Sequence, residues 1–140
     1  AQTIYDPDQA RAFSDAAVKA GKRLCCHMKA DTGMSRLGFL CDEENMDRVA
    51  EEIFAAATLP GLDPEGIFTH FADADTCEAY SRMQIRRFHT IVDRLAARGL
   101  TFRLHHCTAS AATLNYAEAQ WDMVRPGILL YGHHPDPSTV

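Results

Sequence analysis

GIFTHFADADTCEAYSRMQIRRFHTIVDRLAARGLTFRLHH, residues 66–106, reads as one complete strand–helix–strand unit. Gly66 to Phe71 is a short apolar run containing Ile67, Phe68 and Phe71, the pattern of a buried strand. From about Thr76 to Ala97 the period changes: Ile85, Phe88, Val92 and Leu95 form a helical stripe, and Gly99 stops it. Phe102 to His106 is the next strand.

The same alternation continues on both sides. Upstream stand the apolar Thr3 to Tyr5, a helix opened by Asp6 and Pro7 that runs to about Gly21, and a strand at about Arg23 to Ala30. Asp42 can cap a second helix carrying Met46, Val49 and Ile53, which ends before Pro60. Downstream, a short helix from about Ser110 to Tyr116 leads to a last strand near Asp122 to Tyr131. About five strands separated by four helices predict an α/β fold with a parallel sheet. An open doubly wound sheet and a cut (β/α)8 barrel share this pattern. Five units cannot close an eight-stranded barrel, and a partial barrel exposes two edges, which favours dimerisation or strand exchange.

With 140 residues, 46% of them hydrophobic and 24% charged, the chain is sized for one folded domain, taken as 1–140. Fourteen Lys and Arg against nineteen Asp and Glu give a net charge of −5 without a basic block, which argues against nucleic acid as a partner. No apolar run is long enough to span a bilayer, so no membrane contact is expected of this segment. Five cysteines, none in a CxxC pair, fit reduced thiols and a cytoplasmic location.

Polar residues gather at predicted strand ends: Lys29, Asp31 and Arg36 after the second, His70 at the third, His106 and Ser110 after the fourth, Arg125 in the fifth. In parallel α/β folds ligands bind there. In the loop after Lys29, Gly33 and Gly38 permit a tight turn and Arg36 suits an anionic oxygen; a capped helix with an exposed arginine fits equally. Arg125 beside Pro126 and Gly127 reads as a phosphate site or as a plain turn. His70 can face an aromatic ligand or be a satisfied buried histidine. His105, His106 and Cys107, like Cys25, Cys26 and His27, invite a metal reading, but neighbouring strand residues point to opposite faces, so no metal site is expected. Dinucleotide, P-loop, zinc-protease and serine-hydrolase motifs are missing.

Taken together, HMKADTGMSRLGF (27–39), EGIFTHFADAD (65–75), HCTASAA (106–112) and DMVRPGILLYG (122–132) resemble four successive signatures of the alanine racemases, in order and spacing. The resemblance covers about Ile4 to Gly132 and implies a partial (β/α)8 TIM barrel, strands about 4 to 8 of the family's N-terminal pyridoxal-phosphate domain. It implies that Lys29 matches a lysine carbamylated in some members, which holds an arginine matched by Arg36, beside the cofactor's phenolic oxygen. It implies that His70 stacks on the pyridine ring, that Arg125 bonds the ring nitrogen, and that His106 supports Arg125. Ser110 with the amides of Gly127 and Ile128 corresponds to the phosphate cradle. A permanently charged arginine cannot take a proton, so it would keep the ring nitrogen unprotonated, a weaker electron sink suited to racemisation.

Three departures stand out. The family's HxANS has Ala109 for its asparagine, and GMGRLG has Ser35 for a glycine, which matters only if that position needs a positive φ. The lysine that the family joins covalently to the cofactor belongs to a motif resembling VKADAYGHG, absent from these residues, and the opposing tyrosine comes from a C-terminal domain of the partner subunit. Racemisation by two bases needs a group on each face of the α-carbon, so the isolated chain is expected to be inactive, with no catalytic residue of its own. The expected parent is a homodimeric isomerase that interconverts L- and D-alanine for cell-wall precursors. Serine racemases on the same scaffold, a non-catalytic pyridoxal-phosphate barrel and a module that has lost its chemistry are the alternatives.

Overall fold

A computed structural model describes residues 1–135; residues 136–140, included in the expected domain span, lie outside the described residues. Five strands are present: β1 (Gln2–Ile4), β2 (Leu24–Asp31), β3 (Phe39–Leu40), β4 (Leu62–Phe68) and β5 (Leu104–His106). They alternate with α1 (Pro7–Lys19), α2 (Met46–Ala57), α3 (Glu78–Ala97) and α4 (Ser110–Asn115). Local chemistry sets several boundaries. Asp6 accepts the Gln9 amide at 2.7 Å and Pro7 fills the first turn of α1, where its missing N–H costs nothing. Gly99, at φ +83°, ends the stretch after α3.

All strand pairs are parallel, in the order β1–β2–β4–β5, with β3 paired to the end of β2. The order never reverses, unlike that of a doubly wound sheet. Right-handed crossovers taken always in one direction put every helix on one face, which is the barrel arrangement. Ile4, Cys26, Met28, Ala30, Leu62 and Ile67 point to the helices and are fully buried, packed with Val49, Ile53, Phe88, Ile91 and Leu95.

The other face of the sheet carries the polar residues, and a β-bulge decides which. Cys26 pairs with Pro64 but His27 pairs with Gly66, so Glu65 is an extra residue without a partner in β2. The shift exchanges the parity of β4: Phe68 lies opposite Lys29, and His106 lies opposite Phe68. Gly66 serves the same geometry, because a Cβ there would come within 2.8 Å of the His27 ring and of the Leu104 carbonyl.

Four expectations need correction. The strand expected at 122–131 does not form. Asp122 and Arg125 each donate one backbone bond to β5 and its exit, Pro126 has no N–H, and Ile128–Tyr131 coils into a 3-10 helix. Leu130 and Tyr131 are 75% and 81% exposed, so among the described residues the end of this apolar run has nothing to bury against. Arg125 therefore sits on an irregular segment. Asp42 does not cap α2: its carboxylate accepts from the Glu44 and Asn45 amides and from the Asn45 side chain, making a turn, and Asn45 is the N-cap. β4 begins at Leu62 and ends at Phe68, which leaves His70 just beyond it. β3, two residues long, was too short to show a pattern. No helix among the described residues is long and apolar enough to cross a membrane.

Candidate functional site

Lys29, Phe68 and His106 form one row across β2, β4 and β5, on the face turned away from the helices. The Phe68 ring is its centre. His106 stacks on it at 4.7 Å between centroids with 8° between planes, Lys29 Nζ lies 5.2 Å from its centroid, and Arg125 Cζ lies 5.4 Å from it. Both cations lie within reach of the ring's quadrupole.

Arg125 is half-buried and its guanidinium is closely held. It donates to His106 Nδ1, to the Thr69 carbonyl at 3.0 Å and to the Cys107 carbonyl at 3.2 Å, and it stands 3.4 Å from His70 Nδ1. Because arginine can only donate, the ring nitrogen facing it carries no proton. His106 therefore bears its proton on Nε2 and donates to His27 Nδ1 at 2.8 Å; His27 in turn donates from Nε2 to Glu65 at 3.1 Å. Glu65 also accepts from Arg103 and from the Cys25 thiol. The chain Arg125–His106–His27–Glu65 runs in one direction and fixes both tautomers. Burial first, then Arg125, pushes the His106 pKa down to about 3. Burial, then Arg125, Lys29 and Arg36, brings His70 to about 4. Both rings are neutral near pH 7.

Lys29 is 4% exposed, and burial pulls its pKa to about 8, with Asp31 opposing and Arg125 and Arg36 reinforcing the fall. The Asp31 carboxylate accepts the Gly33 and Ser35 amides, both at 3.0 Å, and so fastens the loop that carries Arg36. Ser35 has φ +55°: the position where the family motif has glycine does need the left-handed region. Arg36 stands exposed, near enough for its charge to act on Lys29 and His70 but bonded to neither. Behind His70, Gln84 of α3 donates to the Thr32 hydroxyl and to the His70 carbonyl, and the Thr32 and Thr69 hydroxyls share a bond of 2.8 Å.

A second cluster lies beyond β5. The Ser110 hydroxyl accepts the Gly127 amide at 2.9 Å and the Leu129 amide at 3.4 Å. Ile128 follows Gly127 with its side chain half in solvent. Gly127 has φ −100°, open to any residue, and a Cβ on it would meet nothing within 4 Å. The space before it is empty of protein. Two residues before Ser110, the Thr108 hydroxyl is buried without a partner among the described residues.

Of the residues singled out in the sequence, Lys29, His70, His106 and Arg125 come together, Ser110 and Gly127 bond each other, and Arg36 and Ile128 stand apart from direct contact. Phe68, His27 and Glu65 were missed as parts of the site. Two-residue spacing from Lys29 marks His27 as sharing its face, whereas Glu65 enters only through the bulge, which no pattern announces.

A one-directional parallel sheet with cations and neutral histidines gathered at its carboxyl ends defines a segment of an α/β barrel. The model for the family described as alanine racemase, N-terminal domain, matches residues 1–135, and the chain belongs to that family. The alanine racemase of Desulforamulus reducens is 46% identical over 134 residues, covering 95% of this chain and 35% of the relative. That of Clostridium tetani is 38% identical over 135 residues, covering 96% and 34%. The solved alanine racemase of Clostridium difficile 630 in complex with cycloserine superposes with a TM-score of 0.89 at 35% identity, over 96% of this chain and 36% of that one. The sheet is thus part of an alanine-racemase barrel, and the chain spans about a third of the length of the relatives it matches.

Proposed function

We propose that this chain is a cofactor-holding portion of the barrel of an alanine racemase, an isomerase that interconverts L- and D-alanine with pyridoxal phosphate and works as a homodimer. The observation that carries the reading is Arg125 fixed by two carbonyls and a neutral histidine, with no carboxylate bonded to it among the described residues. A guanidinium without a counter-ion is suited to an acceptor that the ligand brings.

The residues fit pyridoxal phosphate on two further counts. Arg36, Lys29 and Arg125 surround neutral rings, a setting for an anion with an aromatic body. Gly127 opens onto space rather than onto protein, beside the Ser110 hydroxyl. In this reading Ser110 with the amides of Gly127 and Ile128 receives the phosphate, Arg125 donates to the ring nitrogen, His70 lies against the ring, and Arg36 lies beside the phenolic oxygen. When bound, the cofactor supplies a sink for the charge that develops at an amino acid's α-carbon. His106 holds Arg125 by accepting at Nδ1, and cannot compete for a proton while its pKa lies near 3. Lys29, neutral in part because burial lowers its pKa to about 8, can add carbon dioxide at its unprotonated Nζ with release of one proton, and the resulting carbamate would present an anion to Arg36.

The covalent lysine motif and the opposing tyrosine are not among the 140 residues, so these residues alone are expected not to racemise. Chiral analysis of L-alanine and L-serine incubated with the full-length protein and with the 140-residue chain tests the reading. D-alanine from the full-length protein alone is the expected result. D-serine in its place would make it a serine racemase, and no turnover by either protein would favour a non-catalytic cofactor carrier.

A further inference from the structure

We propose that Asp122 is a positioning residue for Arg125: it clasps His105 on the helix-facing side of β5 and thereby holds the segment whose guanidinium His106 receives on the opposite side. The proposal rests on the reading of Arg125 as a cofactor contact. Residues 122–125 have no regular secondary structure, so nothing periodic fixes them.

What fixes them is a pair of ties three residues apart. At the first, one Asp122 carboxylate oxygen accepts both the His105 backbone amide and His105 Nδ1, each at 2.8 Å, while the Asp122 amide donates to the His105 carbonyl at 3.1 Å. Every polar group of His105 except Nε2 is thus engaged by one residue. At the second, the Arg125 amide donates to the Thr108 carbonyl at 3.0 Å. Trp121 seats the segment from behind, its ring 4.5 Å from His89, 5.2 Å from His105 and, edge-on, 5.6 Å from Phe88.

Adjacent strand residues point to opposite faces, so His105 and His106 give the same strand end one hold on the segment's start and another on its functional tip. The need for the hold follows from Arg125's own surroundings. Its partners are carbonyls and neutral rings, and among the described residues no ion pair draws the guanidinium into place. Its neutral acceptors meet the guanidinium only where the backbone of 122–125 delivers it to them. A carboxylate accepting two N–H groups is a stronger tie than a neutral acceptor.

Full-length apoprotein titrated with pyridoxal phosphate, in a double-mutant cycle of Asp122→Ala and Arg125→Ala, tests this, with Asp122→Asn as the shape-preserving variant and melting temperature as the check on folding. Loss of the clasp is expected to weaken affinity about tenfold. The loss should be partly restored in Asp122→Asn and should vanish in the Arg125→Ala background. A loss of the same size in both backgrounds, or none in either, overturns the proposal. Should Arg125→Ala itself leave affinity unchanged, the cofactor contact fails instead. The crystal structure of Asp122→Ala then decides: a guanidinium displaced from His106 sustains the positioning role, and one still in place refutes it.

Discussion

Along β2 the side chains alternate between two worlds. Cys26, Met28 and Ala30 face the helices, fully buried among apolar neighbours, while His27, Lys29 and Asp31 face the other way and meet rings, carboxylates and loop amides. In β4 and β5 the same division separates Ile67 from Phe68 and His105 from His106, the bulge at Glu65 bringing the strands into step. One face holds the chain folded, and the other carries the proposed cofactor site at some cost to stability, since burying Lys29, His70 and His106 penalises their charged forms.

The largest effect belongs to the helix-facing side. Ile67→Ala should cost about 2–5 kcal/mol in chemical denaturation through a cavity with no means of collapse. A loss below 1 kcal/mol would mean that this face is not the core. Gly66→Ala comes next: its methyl would strike the His27 ring and the Leu104 carbonyl, costing about 1–3 kcal/mol and breaking the His27–His106 bond, which ring nitrogen NMR shifts would report.

Acid sharpens the contrast further. His70 and His106 have folded pKa values of about 4 and 3 against 6.5 unfolded, so as pH falls below 6.5 the unfolded chain takes up protons that the folded chain refuses. Stability should decline from about pH 7 to about pH 3–4 and then level for these groups. His70→Gln should flatten the slope, which urea midpoints across pH would show. Lys29 acts at the other end of the scale: with its pKa at about 8 against 10.5, stability should rise between those values. The smallest change is expected at the loop, where Ser35→Gly should gain about 0.5–1 kcal/mol by relieving φ +55°.

How much of this could be read in the sequence depends on whether a residue's place is set locally. The helical stripe of Ile85, Phe88 and Leu95 and the Asp6–Pro7 start declare α3 and α1, because period and capping are properties of a few consecutive residues. That Lys29, His70, His106 and Arg125 come together is legible because parallel strands gather their ends, and motif resemblance supplies the roles proposed for them. What stayed hidden depends on distant partners. Glu65 joins the histidine chain only through a register slip between two strands, and the apolar run at Ile128–Tyr131 looks like a strand until it is seen to have no sheet beside it. Asp42 has the residue type of a helix cap, but Asn45 three residues later competes for its carboxylate.

The most direct measurement is a crystal structure of the full-length protein with pyridoxal phosphate. The cofactor should occupy the polar face of this sheet, its phosphate within hydrogen-bond reach of Ser110 and the Gly127 amide and its ring nitrogen facing Arg125. Cofactor bound elsewhere, or a ring nitrogen meeting a carboxylate rather than Arg125, would contradict the assignment of that face.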